Sequence, residues 1–254
     1  AEFIFSRMDA LGLDPRLEEF RAPHTFSWEL AGIAFLLAAG TALAPYFPIP
    51  GTILVVLGAW FFTRHFIGEA TPLTKLVPKS SSQNVVGSFD SAEPAERTLV
   101  LMAHYDTSRA ALPWSPAMVS SFRESFLLNA FLTYAAVPLA WLGTEWGNLL
   151  WYQILTALLT AYFALQVGVF LHRETAHRAV NGANDNGSGV TVLLKLAEDL
   201  AENPLSNTRV VIAATGCEES GMHGARAFLD EHEETLDPAT TYFLNFDNVG
   251  AFDL

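Results

Sequence analysis

Two long stretches without charge constrain this chain more than any other feature of its sequence. From Leu30 to Thr63 there is no Asp, Glu, Lys or Arg, and from Ser125 to Leu171 there is only Glu145. Each stretch is broken near its middle, the first by Pro45, Pro48, Pro50 and Gly51, the second by LGTEWGN around Glu145, so each reads as a helical hairpin. A helix needs about 20 apolar residues to cross hydrocarbon. Both arms of the second hairpin are long enough. Those of the first, LAGIAFLLAAGTALA and GTILVVLGAWFFTRHFIG, fall slightly short and would rely on Trp28 and a snorkelling Arg64 at the interface. A buried soluble hairpin is the alternative for that first stretch. Trp141, Trp146 and Trp151 gather near the second turn, as an interfacial aromatic belt would. The chain is 51% hydrophobic and 16% charged, whereas a soluble domain carries roughly 25% charged residues. Two transmembrane hairpins are therefore expected, at 26–68 and 122–172, with a lipid bilayer as partner.

A hairpin returns the chain to the side it left, so the polar segments 1–25, 69–121 and 173–254 lie on one side and can build one domain. Their pattern alternates. SRMDALGL reads as a helix end, RTLVLMAHYDT as a strand, GVTVLLKLAEDLAEN as an amphipathic helix and TRVVIAATG as a strand; GMHGARAFLDEHEETL and TTYFLNFDNVG repeat the pair. PKSSSQ reads as a short linker. Alternating strands and helices predict an α/β fold, a sheet flanked by helices, with ligands at the carboxyl ends of its strands. A net charge of -13 without clustered Lys or Arg excludes nucleic acid as a partner. One cysteine, Cys217, excludes an internal disulfide framework and a Cys-rich zinc module. The opening AEFIFSRMDALGLDP has no long apolar run and is not a cleavable signal peptide. With no initial Met and an abrupt stop at AFDL, the chain reads as a fragment.

Four clusters carry candidate chemistry. His104-Tyr105-Asp106 ends the apolar strand TLVLMA, where a neutral imidazole can ligate a metal and Asp106 can orient it. GANDNGSG presents Asp185 just before a helix; an ordinary turn, with Asn184, Asp185 or Ser188 as helix cap, is the plainer reading of that segment alone. Cys217-Glu218-Glu219 follows VVIAAT, and two adjacent carboxylates at a strand end repel unless a cation intervenes. One can hold metal while the other takes a proton from water. Asp247, in NFDN, ends the stretch TTYFLNF and could equally form a turn. Independent turns have no reason to place His, Asp, Glu-Glu and Asp each after a strand or before a helix, so jointly the metal reading wins.

HYD, GANDNGSG, CEESGMHGA and NFDNVG, in this order, resemble the motifs of metallopeptidase family twenty-eight, the aminopeptidase and glutamate-carboxypeptidase-like group of co-catalytic zinc enzymes. The resemblance covers about Thr98 to Gly250 outside the second hairpin, and more weakly SRMDALGLDPRLEEF. It implies a zinc-exopeptidase-like mixed sheet holding two Zn2+, with Asp185 bridging them, His104 and Asp247 completing one site and Glu219 holding the other. Glu218 would be the general base and Asp106 the partner that orients His104. Peptide bonds would be hydrolysed by a metal-activated water, with a free substrate amino group favouring removal of N-terminal residues.

Two departures qualify this. The family's final ligand, a His beside Glu219, has no counterpart, since no His follows His232; it is expected beyond Leu254, and the fragment alone is expected to be inactive. The soluble members of the family also lack the hairpins. Competing readings are a glutaminyl-cyclase-like acyltransferase with one zinc, and an inactive membrane receptor or scaffold on the same fold. A transporter is weaker, because the uncharged helices offer no intramembrane ionisable pair. Arg16, Arg21, Arg64, Lys75, Lys79, Arg109, Arg123, Arg173 and Arg178 flank the hairpins on the polar side while the opposite turns hold no Lys or Arg, which by the positive-inside rule predicts a multi-pass protein with a cytoplasm-facing catalytic domain.

Overall fold

The computed structural model describes residues 1–91 and 93–250. In chain order it forms α1 (Glu2–Ala10), β1 (Arg16–Pro23), α2 (Ser27–Leu43), α3 (Pro48–Phe66), α4 (Pro72–Leu76), β2 (Lys79–Phe89) and β3 (Arg97–His104). There follow α5 (Phe122–Trp141), α6 (Gly143–Trp146), α7 (Leu150–Ala176), α8 (Gly189–Glu202), β4 (Thr208–Thr215), α9 (His223–His232) and β5 (Thr241–Asn245). Contacts divide the chain into two units: Ala1–His24, Pro78–Ser108 and Val180–Leu254 make one, Thr25–Val77 and Arg109–Ala179 the other. The last four residues of the expected segment 173–254 lie outside the described residues.

The first unit is an α/β layer structure around a mixed sheet in the order β1-β2-β4-β3-β5. β3 runs parallel to both β4 and β5, and β2 runs antiparallel to both β1 and β4. Side chains alternate across a strand, and the sequence uses both faces. Leu101, Ala103, Val210, Ile212 and Ala214 join Ile4 and Met8 of α1 and Leu193 and Ala197 of α8 in one core. Val100, Met102, Val211 and Ala213 join Phe228 of α9 and Leu236 in the other. Apolar residues at consecutive positions, rather than at every second one, mark strands covered on both faces.

One expectation needs correction. PKSSSQ is not a linker: Lys79 to Gln83 begin β2, paired from Lys79 with β1. Lys79 to Gln83 pair with β1, and β4 joins on the other side only from Val85; the ladder with β1 bonds their backbone while their polar side chains stay toward solvent. At the other border of the sheet β5 is an edge strand, with Tyr242, Phe243 and Leu244 all exposed.

The second unit is helical and its distribution of side chains is inverted. Ile33, Leu37, Val55, Phe62, Ala136, Leu159 and Phe163 form its core, while Ile49, Ile53 and Trp60 of α3 and Leu150, Ile154, Leu158 and Leu165 of α7 face outward. Close helix approach rests on small residues: a Cβ at Gly40 would lie 2.6 Å from Val55 Cγ2, and one at Gly143 would lie 2.3 Å from the Ala44 carbonyl oxygen. Two helices among the described residues, α3 and α7, are long and apolar enough to cross a membrane. α2 is apolar but only 17 residues long, and α5 does not join the pair. Both arms of the second hairpin have the expected length, α5 with 20 residues and α7 with 27, but only α7 is also apolar enough; α5 begins at Phe122-Arg123-Glu124 and dilutes its apolar run with Asn129, Thr133 and Pro138.

Polar groups collect at the bundle end where α2 and α5 begin and α3 and α7 finish. Arg173, 3% exposed, donates to Thr25 Oγ1 at 3.1 Å and Ser27 Oγ at 2.7 Å and lies over the Phe26 ring. The Glu29 carboxylate accepts from the hydroxyls of Thr71 and Thr74.

Candidate metal centre

Parallel strands end at a common edge, which brings together residues far apart in sequence. His104 is the last residue of β3 and is level with Thr215 of β4. Two residues beyond Thr215 the loop Cys217-Glu218-Glu219 begins, and Asp247 follows β5. Asp185 comes from the turn that leads into α8, which packs against the same sheet.

His104 is 2% exposed. Its Nε2 lies 3.2 Å from Asp185 Oδ1, 3.5 Å from Asp247 Oδ1 and 3.8 Å from Glu218 Oε2. His104, Asp185 and Asp247 each offer a ligand atom, all within 4.8 Å of one another. A tetrahedral zinc with bonds of about 2.0–2.1 Å needs ligand atoms roughly 3.3 Å apart. One imidazole nitrogen and two carboxylate oxygens at these spacings fit a zinc-type cation. Glu219 is not part of that trio; its carboxylate feels the charge of Asp185 and Glu218 and hydrogen-bonds Ser108.

Asp106 links the two halves of the site. The Nδ1 edge of His104 faces its backbone carbonyl at 3.2 Å and its Oδ1 at 3.6 Å. The two carboxylate oxygens also accept the backbone N–H groups of Glu218 at 3.0 Å and Glu219 at 3.2 Å. A single carboxylate thus turns the imidazole and holds the Glu-Glu pair.

Crowded acid groups leave their mark on proton affinity. Burial, then the charges of Asp185 and Glu218, push Glu219 up to about 7 despite the Ser108 hydrogen bond. Glu218 is raised too, by burial first and then by Asp106, Asp247 and Asp185 against the opposing pull of His104. For His104 burial acts downward, but the Asp106 hydrogen bond and the carboxylates of Glu218, Asp106 and Asp247 prevail and raise it to about 9. Cys217 is raised, chiefly by burial, so it stays a thiol and does not compete as a nucleophile.

Asn186 went unnoticed in the sequence. Its side chain, 1% exposed, accepts from the N–H of Gly189 at 3.1 Å and of Asn248 at 3.3 Å and donates to the Phe246 carbonyl at 2.8 Å. It, rather than Asn184, Asp185 or Ser188, gives a side-chain acceptor to the start of α8, and it ties the Asp185 turn to the strand end that carries Asp247. The only local signal was a second amide residue beside Asp185, which turns commonly contain.

Residues 166–253 match the family model described as Peptidase family M28, a span that holds Asp185, Glu218, Glu219 and Asp247 but not His104 or Asp106. Aminopeptidase YwaD of Bacillus subtilis (strain 168) is 24% identical over 270 residues, covering 98% of this chain and 56% of that protein. A "Probable lipoprotein aminopeptidase LpqL" of Mycobacterium tuberculosis is 36% identical over 70 residues, 28% of this chain and 14% of that protein. The chain thus spans about half the length of YwaD and far less of LpqL. Among solved structures, BSAP, a zinc aminopeptidase from Bacillus subtilis, aligns with 14% identity and a TM-score of 0.42 over 98% of this chain and 62% of that one.

Proposed function

We propose that this chain supplies most of the active site of a membrane-bound, zinc-dependent exopeptidase of the M28 type that removes N-terminal residues from peptides. The observation that carries this reading is the convergence of His104 Nε2 with Asp185 and Asp247 at 3.2 and 3.5 Å, the two carboxylates lying in the segment 166–253 that matches a peptidase family. In this reading His104, Asp185 and Asp247 would hold one zinc, and Glu219 with Asp185 would contribute to holding a second. The remaining ligand of the second ion comes from a segment outside this sequence, which the greater length of the relatives accommodates.

Zinc held there would supply Lewis-acid polarisation of the scissile carbonyl and acidification of water. Glu218, 3.8 Å from the imidazole and raised above an ordinary carboxylate, is placed to take the proton of the attacking water and return it to the leaving amine. Asp106 keeps His104 turned toward the carboxylates and fixes the backbone at Glu218 and Glu219.

The outward apolar faces of α3 and α7 support a bilayer around the helical unit. The bundle end rich in Arg64, Arg123 and Arg173, opposite turns free of Lys and Arg, is proposed as the cytoplasmic end. The test is hydrolysis of an aminoacyl chromogenic amide by the full-length protein, before and after chelation and on return of zinc. Activity indifferent to chelation, or equal activity on an N-acetylated substrate, would refute the proposal.

A further inference from the structure

The loop that carries Glu218 and Glu219 is held from a second side by a residue on a different strand. Asn84 of β2 is fully buried, and an amide in the middle of a strand is poor for strand formation and costly to bury unless its polar atoms are paired. Both are. Its Oδ1 accepts the N–H of Gly216 at 3.2 Å and its Nδ2 donates to the carbonyl of Gly224 at 2.9 Å. Gly216 is where the chain leaves β4, and Gly224 lies in the first turn of α9, so the amide closes the base of the loop 217–223. No side chain fits between these anchors: a Cβ on Gly224 would fall 2.1 Å from the Gly216 oxygen and 2.7 Å from Asn84 Oδ1.

Within the loop Cys217, Gly221 and Met222 take positive φ, a conformation that L side chains adopt reluctantly. It is maintained by bonds from the N–H of His223 to the Cys217 carbonyl at 3.0 Å and of Met222 to the Glu218 carbonyl at 2.8 Å. β2 is antiparallel to β4, so its early residues lie beside the carboxyl end of β4, and Val85 is level with Ala214. The cross-strand neighbour of Asn84 is Glu18, whose Oε1 meets His232 Nε2 at 2.7 Å. α9 is thus secured at its start by Asn84 and at its end by Glu18.

We propose that Asn84 is a positioning residue for the Glu218-Glu219 pair: with Asp106 holding the loop's amides on one side, Asn84 fixes its two ends on the other and so sets where both carboxylates point. The idea rests on the exopeptidase reading for its chemical consequence, not for its geometry. Partners one step removed from metal ligands typically change affinity or activity by about 10–100-fold when lost.

The experiment compares Asn84→Ala with Met8→Ala in the full-length protein; Met8 is a fully buried core residue of α1 and controls for lost stability. For Asn84→Ala the expected results are a zinc affinity about 10–100-fold lower by chelator competition, a kcat lowered to a similar extent with KM changed less than about twofold, and faster amide exchange across residues 216–224. Met8→Ala should lower the melting temperature and leave all three unchanged. If Asn84→Ala does not fold, Asn84→Ser, which keeps a hydroxyl in the buried space, takes its place. Wild-type zinc affinity and kcat in the Asn84 variant, or equal losses in Met8→Ala, overturn the assignment. If the wild-type protein neither binds zinc nor hydrolyses peptides, the functional reading falls, and exchange across 216–224 decides: protection equal to that of Met8→Ala overturns the positioning role, selective loss of protection upholds it.

Discussion

The two units bury opposite material. In the α/β unit, large apolar side chains alternate into two cores, and the buried polar residues Asn84, His104, Asn186, Thr215 and Ser220 crowd the sheet edge where the parallel strands end. In the helical unit, Leu158 and Leu165 face outward while Thr41, Thr133 and Thr156 lie inside. Thr41 and Thr156 return their hydroxyls to carbonyls four residues earlier, at 2.9 and 3.0 Å. The contrast teaches that buried polar groups serve different ends in the two regions. In the first they line the edge where the carboxylates of Asp185, Glu218 and Glu219 crowd one another; in the second the buried charges Glu29 and Arg173 sit at one bundle end, and along the helices Thr41 and Thr156 are neutral and bonded to their own helix, which suits a bilayer.

The sharpest break of that comparison is Glu218→Gln. It should cut turnover about 10²–10⁴-fold while zinc content, measured by atomic emission, stays at the wild-type level, because the proton acceptor is lost and the His104 trio is kept. Retained turnover would refute the assigned base. Next in size is Leu193→Ala, a fully buried position of α8, which should destabilise the α/β unit by about 2–5 kcal/mol in denaturant titration. Leu158→Ala on the outer face of α7 should cost far less in the same assay.

The helical unit has its own test in Leu158→Asp. A charge at the centre of a membrane helix costs about 2.5–3.5 kcal/mol in insertion, so the variant should shift from the membrane to the soluble fraction or be degraded. Unchanged partition would argue for a soluble bundle.

A smaller effect concerns pH. Without metal, His104 at about 9 and Glu219 at about 7 hold protons more tightly folded than unfolded, where their values are 6.5 and 4.5. The native state then binds more protons, so metal-free stability falls as pH rises, from above pH 4.5 through about 7 for Glu219 and from above 6.5 through about 9 for His104. Zinc should remove that slope and release protons on binding, visible as a buffer-dependent heat in calorimetry. The smallest effect belongs to Lys195→Ala, whose exposed pairs with Glu198 and Asp199 are screened by solvent, so the variant should be indistinguishable from wild type in denaturant titration.

The sequence by itself determined much of this protein. Apolar runs with period two or with none announced β3, β4 and β5, the charge-free stretches announced the helical unit, and His104, Asp185, Glu218, Glu219 and Asp247 each stood at a strand end or helix start. Local pattern suffices there, because burial on both faces and exposure to a proposed bilayer leave the same continuous mark on composition. Tertiary structure decided the rest. The start of β2 looked like a serine linker because its formation depends on pairing with β1, more than 50 residues earlier, and such a partner is not written in a local window. Asn84 and Asn186 carried no signal for a related reason: an amide matters through the backbone groups it reaches, and apart from Gly189 beside Asn186 those lie 60 to 140 residues away.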